Sequence, residues 1–162
     1  MKSLLLTLLS LALFISCKKS NLLDESAFIN QVIDGTYNEF HLPDLETTDI
    51  PNLLVHKDDK TLLSKYPANP ISSFYSDKVS VGIIALWTIE SIRITELNNN
   101  DEPQARFPSL NPILFDKIAI SKDQNELQNI AADKYQDWWS SNKSLQDKLA
   151  INPLNDTSIE WK

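Results

Sequence analysis

The chain has 162 residues and a formal net charge of −7 at pH 7. An acidic chain lacks the basic patch that phosphate contacts need, so nucleic acid is excluded as an expected partner. The single cysteine excludes an internal disulfide, and the two glycines, Gly35 and Gly82, cannot form a glycine-rich phosphate loop. We therefore expect the stability of the fold to come from packing alone.

The first 17 residues predict export and lipidation. An apolar run from Leu4 to Ile15 is too short to span a bilayer and is typical of a signal peptide. It ends in Phe14-Ile15-Ser16-Cys17, which resembles the lipobox of bacterial lipoproteins. The resemblance implies lipid on Cys17 and, because Lys18 rather than aspartate follows, an outer-membrane address on a face that it does not specify. The alternative is an ordinary secretory signal with an accidental cysteine.

These features divide the chain into a signal peptide at residues 1–16, a lipidated tether at 17–23 and a single helical domain at 24–162. Because the tether is short, we expect the domain to lie close to the bilayer. The scarcity of glycine disfavours tight hairpin turns and favours helices. The predicted fold is all-α, with five to six helices.

The first half of the domain predicts two short helices. Asp24 to Asp34 carries an apolar stripe and is followed by Gly35, the expected left-handed residue at a helix end. A second helix is predicted from Ile50 to His56. Thr61 to Tyr66 is predicted to add one further helical turn, before a stretch with two prolines follows an extended path.

The most apolar stretch of the domain runs from Val79 to Ile94. From Ile83 to Ile89 only Thr88 is polar, and a helix that is apolar on nearly all sides is buried. This pattern predicts a central helix at residues 79–95 around which the other helices pack.

The second half begins with a polar stretch from Leu97 to Phe107, which we expect to be a surface loop. The apolar residues between Ile113 and Ile120 fit either a short helix or a strand. Asn125 to Asn142 has the strongest amphipathic pattern of the chain. A last short helix is predicted at 144–149, and the chain then ends in a tail that carries Trp161.

Two local patterns resemble known families. Asp49 to Leu54 (DIPNLL), an acidic turn and the apolar helix around Ala85-Leu86-Trp87 look like one HEAT-type helical hairpin with an expanded loop. This likeness implies HEAT-like packing. The second pattern is the segment Asn69 to Ser73 before the apolar helix Leu86 to Arg93, together with the run Tyr135-x-x-Trp138-Trp139 and the following Asn152-Pro153-Leu154. It is similar to small bacterial lipoproteins of uncharacterised function, and that similarity implies no activity.

Glu90 and Arg93 form the candidate site of the central helix. They are three residues apart and therefore lie on the same side of the helix. One interpretation is a recognition site at the base of a pocket. The other, which we favour, is a structural ion pair, with contacts to backbone carbonyls of the Asn69–Ser73 loop.

The sequence shows no catalytic signature, cofactor motif or metal-ligand spacing. The two histidines, His41 and His56, are far apart, and His56 with Asp58 and Asp59 reads as a solvated turn rather than a cation site. Ser72-Ser73 lacks the flanking glycines of a nucleophile turn. We therefore predict no catalytic residue, cofactor or metal.

The tryptophans offer a second candidate surface. Trp87 and Trp138 are predicted to lie in the core because they share apolar faces with other large residues. Trp139 lies at the edge of its stripe, so it is the candidate for an aromatic surface that stacks on sugar rings.

Together these features predict an outer-membrane-anchored lipoprotein that acts as a non-enzymatic protein-interaction or structural module of the cell envelope. Its partners would be the membrane, through the lipid on Cys17, and an envelope protein. The alternatives are a glycan-binding accessory lipoprotein, which requires exposed tryptophans, an immunity or inhibitor-type lipoprotein, and a hydrolase with two carboxylates at glycosidase separation.

Overall fold

A computed structural model describes residues 23–39, 42–63, 65–68, 76–98, 111–118 and 123–162. Within these ranges the chain is mainly helical, with five α-helices and two small antiparallel sheets. The helices are α1 (Glu25–Ile33), α2 (Ile50–Leu54), α3 (Val81–Leu97), α4 (Gln124–Ser140) and α5 (Leu145–Leu149), and the strands are β1 (Leu62–Leu63), β2 (Val79–Ser80), β3 (Leu114–Asp116) and β4 (Ile159–Trp161).

Several predicted features lie outside the described residues. They are the signal peptide, Cys17, His41, the Asn69–Ser73 segment and residues 99–107 of the expected surface loop. In the part of the chain that is described, no helix combines the length and the apolar character needed to cross a membrane.

The ends of the helices follow from local sequence. Asp24 precedes α1, and its side chain accepts a hydrogen bond of 2.7 Å from the backbone N–H of Ala27. Gly35 follows α1 with a φ of 67°, a left-handed conformation that favours glycine. Ser144 caps α5 by accepting from the backbone N–H of Asp147 at 3.2 Å. The sequence predicted the bounds of these two helices to within one residue, and it predicted Gly35 as a helix end.

Helix α3 is the centre of the domain, as its apolar sequence predicted. Every residue from Val81 to Arg93 is buried. Each of the other four helices contacts it. The helix begins at Val81 rather than Val79, because Val79 and Ser80 form β2 and the Ser80 side chain caps the helix by accepting from the backbone N–H of Ile83.

The prediction of a purely all-α fold is wrong, because two pairs of strands accompany the helices. The first pair joins β1 to β2, with Leu62 opposite Ser80 and Leu63 opposite Val79. The helical turn predicted at Thr61 to Tyr66 is therefore absent in its described part. The backbone there bonds to a strand that is distant in sequence, and this contact outweighs the weak local preference for a helical turn.

The second pair joins β3 to the end of the chain. Leu114 lies opposite Trp161, and Asp116 lies opposite Ile159. The strand alternative for the apolar segment after Ile113 is thus the correct one over Leu114–Asp116, and the expected tail is strand β4. The pairing brings the side chain of Trp161 against the core.

Candidate functional site

The charged pair at the end of the buried part of α3 is a two-point ion pair. Arg93 Nη2 donates to Glu90 Oε1 at 2.7 Å, and Arg93 Nε donates to Glu90 Oε2 at 2.9 Å. Glu90 is only 2% exposed and Arg93 only 6% exposed. Parallel hydrogen bonds between a guanidinium group and a carboxylate are among the strongest polar contacts in proteins, so the two charges neutralise each other inside the core.

Other elements extend this pair into a network. The Tyr135 hydroxyl of α4 donates to Glu90 Oε2 at 2.9 Å, and Trp161 Nε1 of β4 donates to the Tyr135 oxygen at 2.9 Å. On the other side, Arg93 Nη1 donates to the carbonyl of Leu149 at 2.8 Å. Arg93 thus binds a backbone carbonyl of α5, and the predicted contact with the Asn69–Ser73 loop concerns a segment outside the described residues. We call these five residues the central network.

The central network explains how the end of α5 is held. The last carbonyls of a helix lack partners within the helix and carry partial negative charge. Arg93 satisfies the carbonyl of Leu149, and Trp138 Nε1 donates to the carbonyl of Lys148 at 2.7 Å. Two side chains from α3 and α4 therefore fix a helix of only five residues, which would not be stable alone.

The pKa shifts agree with a network whose protonation states are fixed. Burial raises the pKa of Tyr135 well above its usual value, and the negative charge of Glu90 raises it further. Burial by itself would lower the pKa of Arg93, but its hydrogen bonds and charge interaction with Glu90 outweigh that effect and raise it. The tyrosine thus stays neutral and the arginine charged at ordinary pH.

A second polar cluster lies at the other end of α3. Gln128 of α4 accepts from the Ser80 hydroxyl at 2.7 Å and donates to the carbonyls of Lys57 and Asp59 at 2.9 and 3.1 Å. The backbone N–H of Gly82 also donates to the Asp59 carbonyl at 2.9 Å. The turn after α2 thereby covers the first N–H groups of α3, which have no partner within the helix.

Gly82 makes this close approach feasible. A Cβ atom there would lie 2.1 Å from Gln128 Nε2 and 2.5 Å from the Lys57 carbonyl oxygen, which is far inside van der Waals contact. Only glycine allows the turn and α4 to approach the helix so closely. The sequence signal of this contact is an isolated glycine in an apolar helix.

The tryptophans divide as their positions on the helices suggested. Trp87 and Trp138 are buried in the core. Trp139 is half-buried and packs against the core, with its ring centroid 5.5 Å from that of Trp138. The Lys148 ammonium lies 5.0 Å from the Trp139 ring centroid, a cation–π distance, and the same group donates to the Trp139 carbonyl.

The histidine turn shows no arrangement for a metal. No group of three His, Cys, Asp or Glu side chains could hold a metal ion anywhere in the described ranges. In the turn itself, Lys57 pairs with Asp58. The backbone N–H of Thr61 donates to Asp59 at 2.8 Å and lowers the pKa of that carboxyl. The turn is thus held by contacts within the protein.

The sequence indicated two members of the central network, Glu90 and Arg93. It did not indicate that Tyr135, Leu149 and Trp161 join them. Glu90 and Arg93 were found because charge is rare in an apolar helix. Tyr135 was noted only as part of the Tyr135-x-x-Trp138-Trp139 run, and Trp161 only as part of a tail. The spacing of two between Ile159 and Trp161 fits a strand with one face buried, and it was the available signal.

We expect the stability of the fold to fall at alkaline pH. Burial and the charge of Glu39 raise the pKa of Tyr37 to about 12, and the pKa of Tyr135 is raised as well. A group whose pKa is higher in the folded state contributes stability below its unfolded pKa, near 10, and that contribution is lost as the pH rises toward 12. Melting temperatures measured between these pH values should fall steadily.

The variant Tyr37→Phe is the matched control for this pH effect. It keeps an aromatic ring against Phe28, whose centroid lies 5.0 Å from that of Tyr37, and removes the ionisable hydroxyl. The loss of stability between about pH 10 and 12 should be smaller in this variant. An equally steep loss in both proteins would show that Tyr37 is not responsible.

The model of a family described as a domain of unknown function, DUF4943, matches residues 19–162. No curated protein and no solved structure matches the chain.

Proposed function

We propose that this chain, which belongs to the DUF4943 family of unknown function, is a non-enzymatic, lipid-anchored interaction or structural module of the cell envelope. The observation that carries this proposal is the central network. Its charged pair is buried within α3 and bonds to Tyr135 of α4 and to the Leu149 carbonyl of α5. Groups held in this way support a scaffold rather than a reactive centre.

The chemistry of catalysis supports the same conclusion. A general acid or base must reach the substrate by a hydrogen bond, directly or through one water. Glu90 Oε2 instead accepts from both Arg93 and Tyr135, and Glu90 Oε1 accepts from Arg93. A carboxylate with these partners stabilises the fold, and we assign Glu90 and Arg93 a structural role.

The anchoring part of the proposal rests on the N-terminal sequence. Phe14 to Cys17 resembles a lipobox, and Lys18 after the cysteine favours an outer-membrane location. The domain would then be held close to the bilayer by the tether at 17–23. A domain tethered in this way meets envelope partners at a high effective concentration, which suits a module of modest affinity.

We also propose that α2 and α3 form a HEAT-like helical hairpin. Packing of α2 on α3, with Ile50 and Leu53 fully buried, supports it. Helical repeats bury apolar faces between neighbouring helices in the same manner and use the remaining surface to bind partners. Because α2 has five residues, the proposal concerns this one hairpin and not a repeated array.

Lipidation is tested by replacing the cysteine. Cys17→Ala should abolish incorporation of an alkyne-tagged fatty acid, because the acyl group needs the cysteine sulfur. Ser16→Ala is the matched control, since alanine keeps a small residue before the cysteine, and it should still be labelled. Labelling of Cys17→Ala at the control level would contradict lipidation at this site.

The interaction role is tested by crosslinking in intact envelopes. We expect the protein to capture the same envelope partner in repeated experiments, and Cys17→Ala to lose that partner because the tether sets the effective concentration. Capture of no partner, or equal capture by Cys17→Ala, would contradict a lipid-anchored interaction module.

A further inference from the structure

An open groove runs along the side of α4. It lies between α4 and the turn at residues 151–156 that follows α5, and its volume is about 360 Å³. This volume falls within the range of small-molecule sites, ~300–1,000 Å³. We call it the α4 groove.

Charge in the α4 groove is balanced. Two lysines, Lys134 and Lys143, are matched by two aspartates, Asp137 and Asp156. Lys134 and Asp156 pair with each other at 2.7 Å and close one side. Equal numbers of opposite charges give no net Coulombic attraction to either an anion or a cation, so the groove favours a neutral ligand.

Three polar side chains of the groove are free to bind a ligand. Asp137, Lys143 and Asn155 are exposed, and in the part of the chain that the structure describes their side chains make no hydrogen bond or ion pair. They supply a carboxylate acceptor, an ammonium donor and an amide that does both. A hydroxyl group is both donor and acceptor, so a ligand rich in hydroxyls can bond to all three.

The walls of the groove are held in place by the fold. Asn152 Oδ1 accepts from the backbone N–H of Leu154 at 2.9 Å, and the Ser141 hydroxyl donates to the Trp138 carbonyl at 2.8 Å. A groove with fixed walls loses little entropy when it binds a ligand.

The apolar part of the groove is mainly Ile151, which is 36% exposed, together with the accessible edges of the otherwise buried Trp138 and Pro153. An apolar strip beside hydrogen-bonding groups matches the surface of a sugar ring, which has C–H faces and a rim of hydroxyls. Trp139, the residue that the sequence indicated for sugar stacking, lies outside this lining.

We propose that the α4 groove binds a neutral, polyhydroxylated ligand of the saccharide class. This inference goes beyond the anchoring and partner-binding role above and does not depend on it. The balanced charge favours a neutral ligand, the three free side chains can bind hydroxyl groups, and the apolar part of the groove can contact the C–H face of a sugar ring.

The test is a titration of the full-length protein with neutral oligosaccharides derived from glucans, mannans, galactans and xylans. A polyoxyethylene detergent keeps the protein in solution, because detergents with sugar headgroups would compete for the groove. The readout is the NMR signals of the Asn155 side-chain amide and the Trp138 indole. We expect at least one neutral oligosaccharide to shift both signals, with a dissociation constant on the order of 1 mM.

Substitutions inside and outside the α4 groove test whether the oligosaccharide binds there. Asn155→Ala should weaken it roughly three- to tenfold, and Asp137→Asn about tenfold, as expected for loss of a neutral and a charged hydrogen bond. Both residues are exposed, so neither change should affect folding by more than a surface substitution does. Asn30→Ala removes an exposed amide from α1, outside the groove, and should bind like the unchanged protein.

Three results would overturn the saccharide proposal. They are no shift of either signal by any neutral oligosaccharide, tighter binding of oligogalacturonate or chitosan oligomers than of the neutral probes, and equal binding by Asn155→Ala, Asp137→Asn and Asn30→Ala. Failure here leaves the labelling and crosslinking results of the proposed function unchanged, so the two failures are distinguishable.

Discussion

Replacing Glu90 with glutamine is expected to destabilise the fold by ~3–5 kcal/mol, because Arg93 then keeps its positive charge in a buried position without a carboxylate partner. Arg93→Met should cost a similar amount, since it leaves the carboxylate of Glu90 buried and removes the hydrogen bond to the Leu149 carbonyl. Thermal unfolding followed by circular dichroism should show a fall in Tm of roughly 10 °C or more for each variant.

A double variant distinguishes the effect of the charges of Glu90 and Arg93 from the effect of the volume that their side chains fill. Replacing both residues by apolar ones removes both charges of the pair, so Glu90→Met with Arg93→Met should cost less than the sum of the single variants. Tyr135 and the Leu149 carbonyl still lose a partner, so we do not expect full recovery.

Asp156→Asn is the matched control for this experiment. It breaks an ion pair of the same length, 2.7 Å, with Lys134, but the two side chains are 70% and 34% exposed. Exposed ion pairs contribute only about 0–1 kcal/mol, so Tm should change little. If Glu90→Gln and Arg93→Met are as stable as this control, the structural role is wrong, and the pair becomes a candidate for recognition.

Gly82→Ala is the second substitution with a large expected effect, ~1–3 kcal/mol of destabilisation or more. The new Cβ would lie 2.1 Å from Gln128 Nε2 and 2.5 Å from a backbone oxygen of Lys57, so the turn after α2 and helix α4 must both move. The gain of about 1 kcal/mol in helix propensity from alanine is smaller than this cost. Urea unfolding would measure the difference.

Two further variants test whether the destabilisation by Gly82→Ala comes from the close approach at this residue. Gly35→Ala tests backbone strain alone, because Gly35 has a φ of 67° and no atom within 4 Å of the added Cβ; it should cost about 1–2 kcal/mol. Adding Gln128→Ala to Gly82→Ala removes the 2.1 Å contact but leaves the Lys57 carbonyl at 2.5 Å, so stability should not return. A Gly82→Ala protein as stable as the parent would rule out the close approach.

Local signals explain the parts of the fold that were predicted correctly. The apolar run of α3 has few polar residues, so it can be stable only in the interior. Asp24 and Ser144 cap helices through hydrogen bonds to N–H groups three residues away, and Gly35 ends a helix because its φ is positive. Each of these contacts joins residues that are close in the sequence, which is why the sequence alone predicts them.

Strands and long-range polar contacts were missed for the opposite reason. Leu62 lies opposite Ser80, and Leu114 lies opposite Trp161, so the two partners of each pair are distant in the sequence. Strands of two residues show no alternating pattern, and in a strand of three residues a spacing of two, as between Ile159 and Trp161, is only a weak signal. Their backbone groups are satisfied only by the partner strand, which tertiary structure supplies.

The charged pair shows most clearly which properties of this protein the sequence determines and which depend on tertiary structure. Sequence spacing determined that Glu90 and Arg93 lie on the same side of one helix, because residues three apart are neighbours on the surface of a helix. Tertiary structure alone decided what surrounds them, since Tyr135, Leu149 and Trp161 come from three other elements. These long-range contacts bury the charges and give the pair its expected effect on stability.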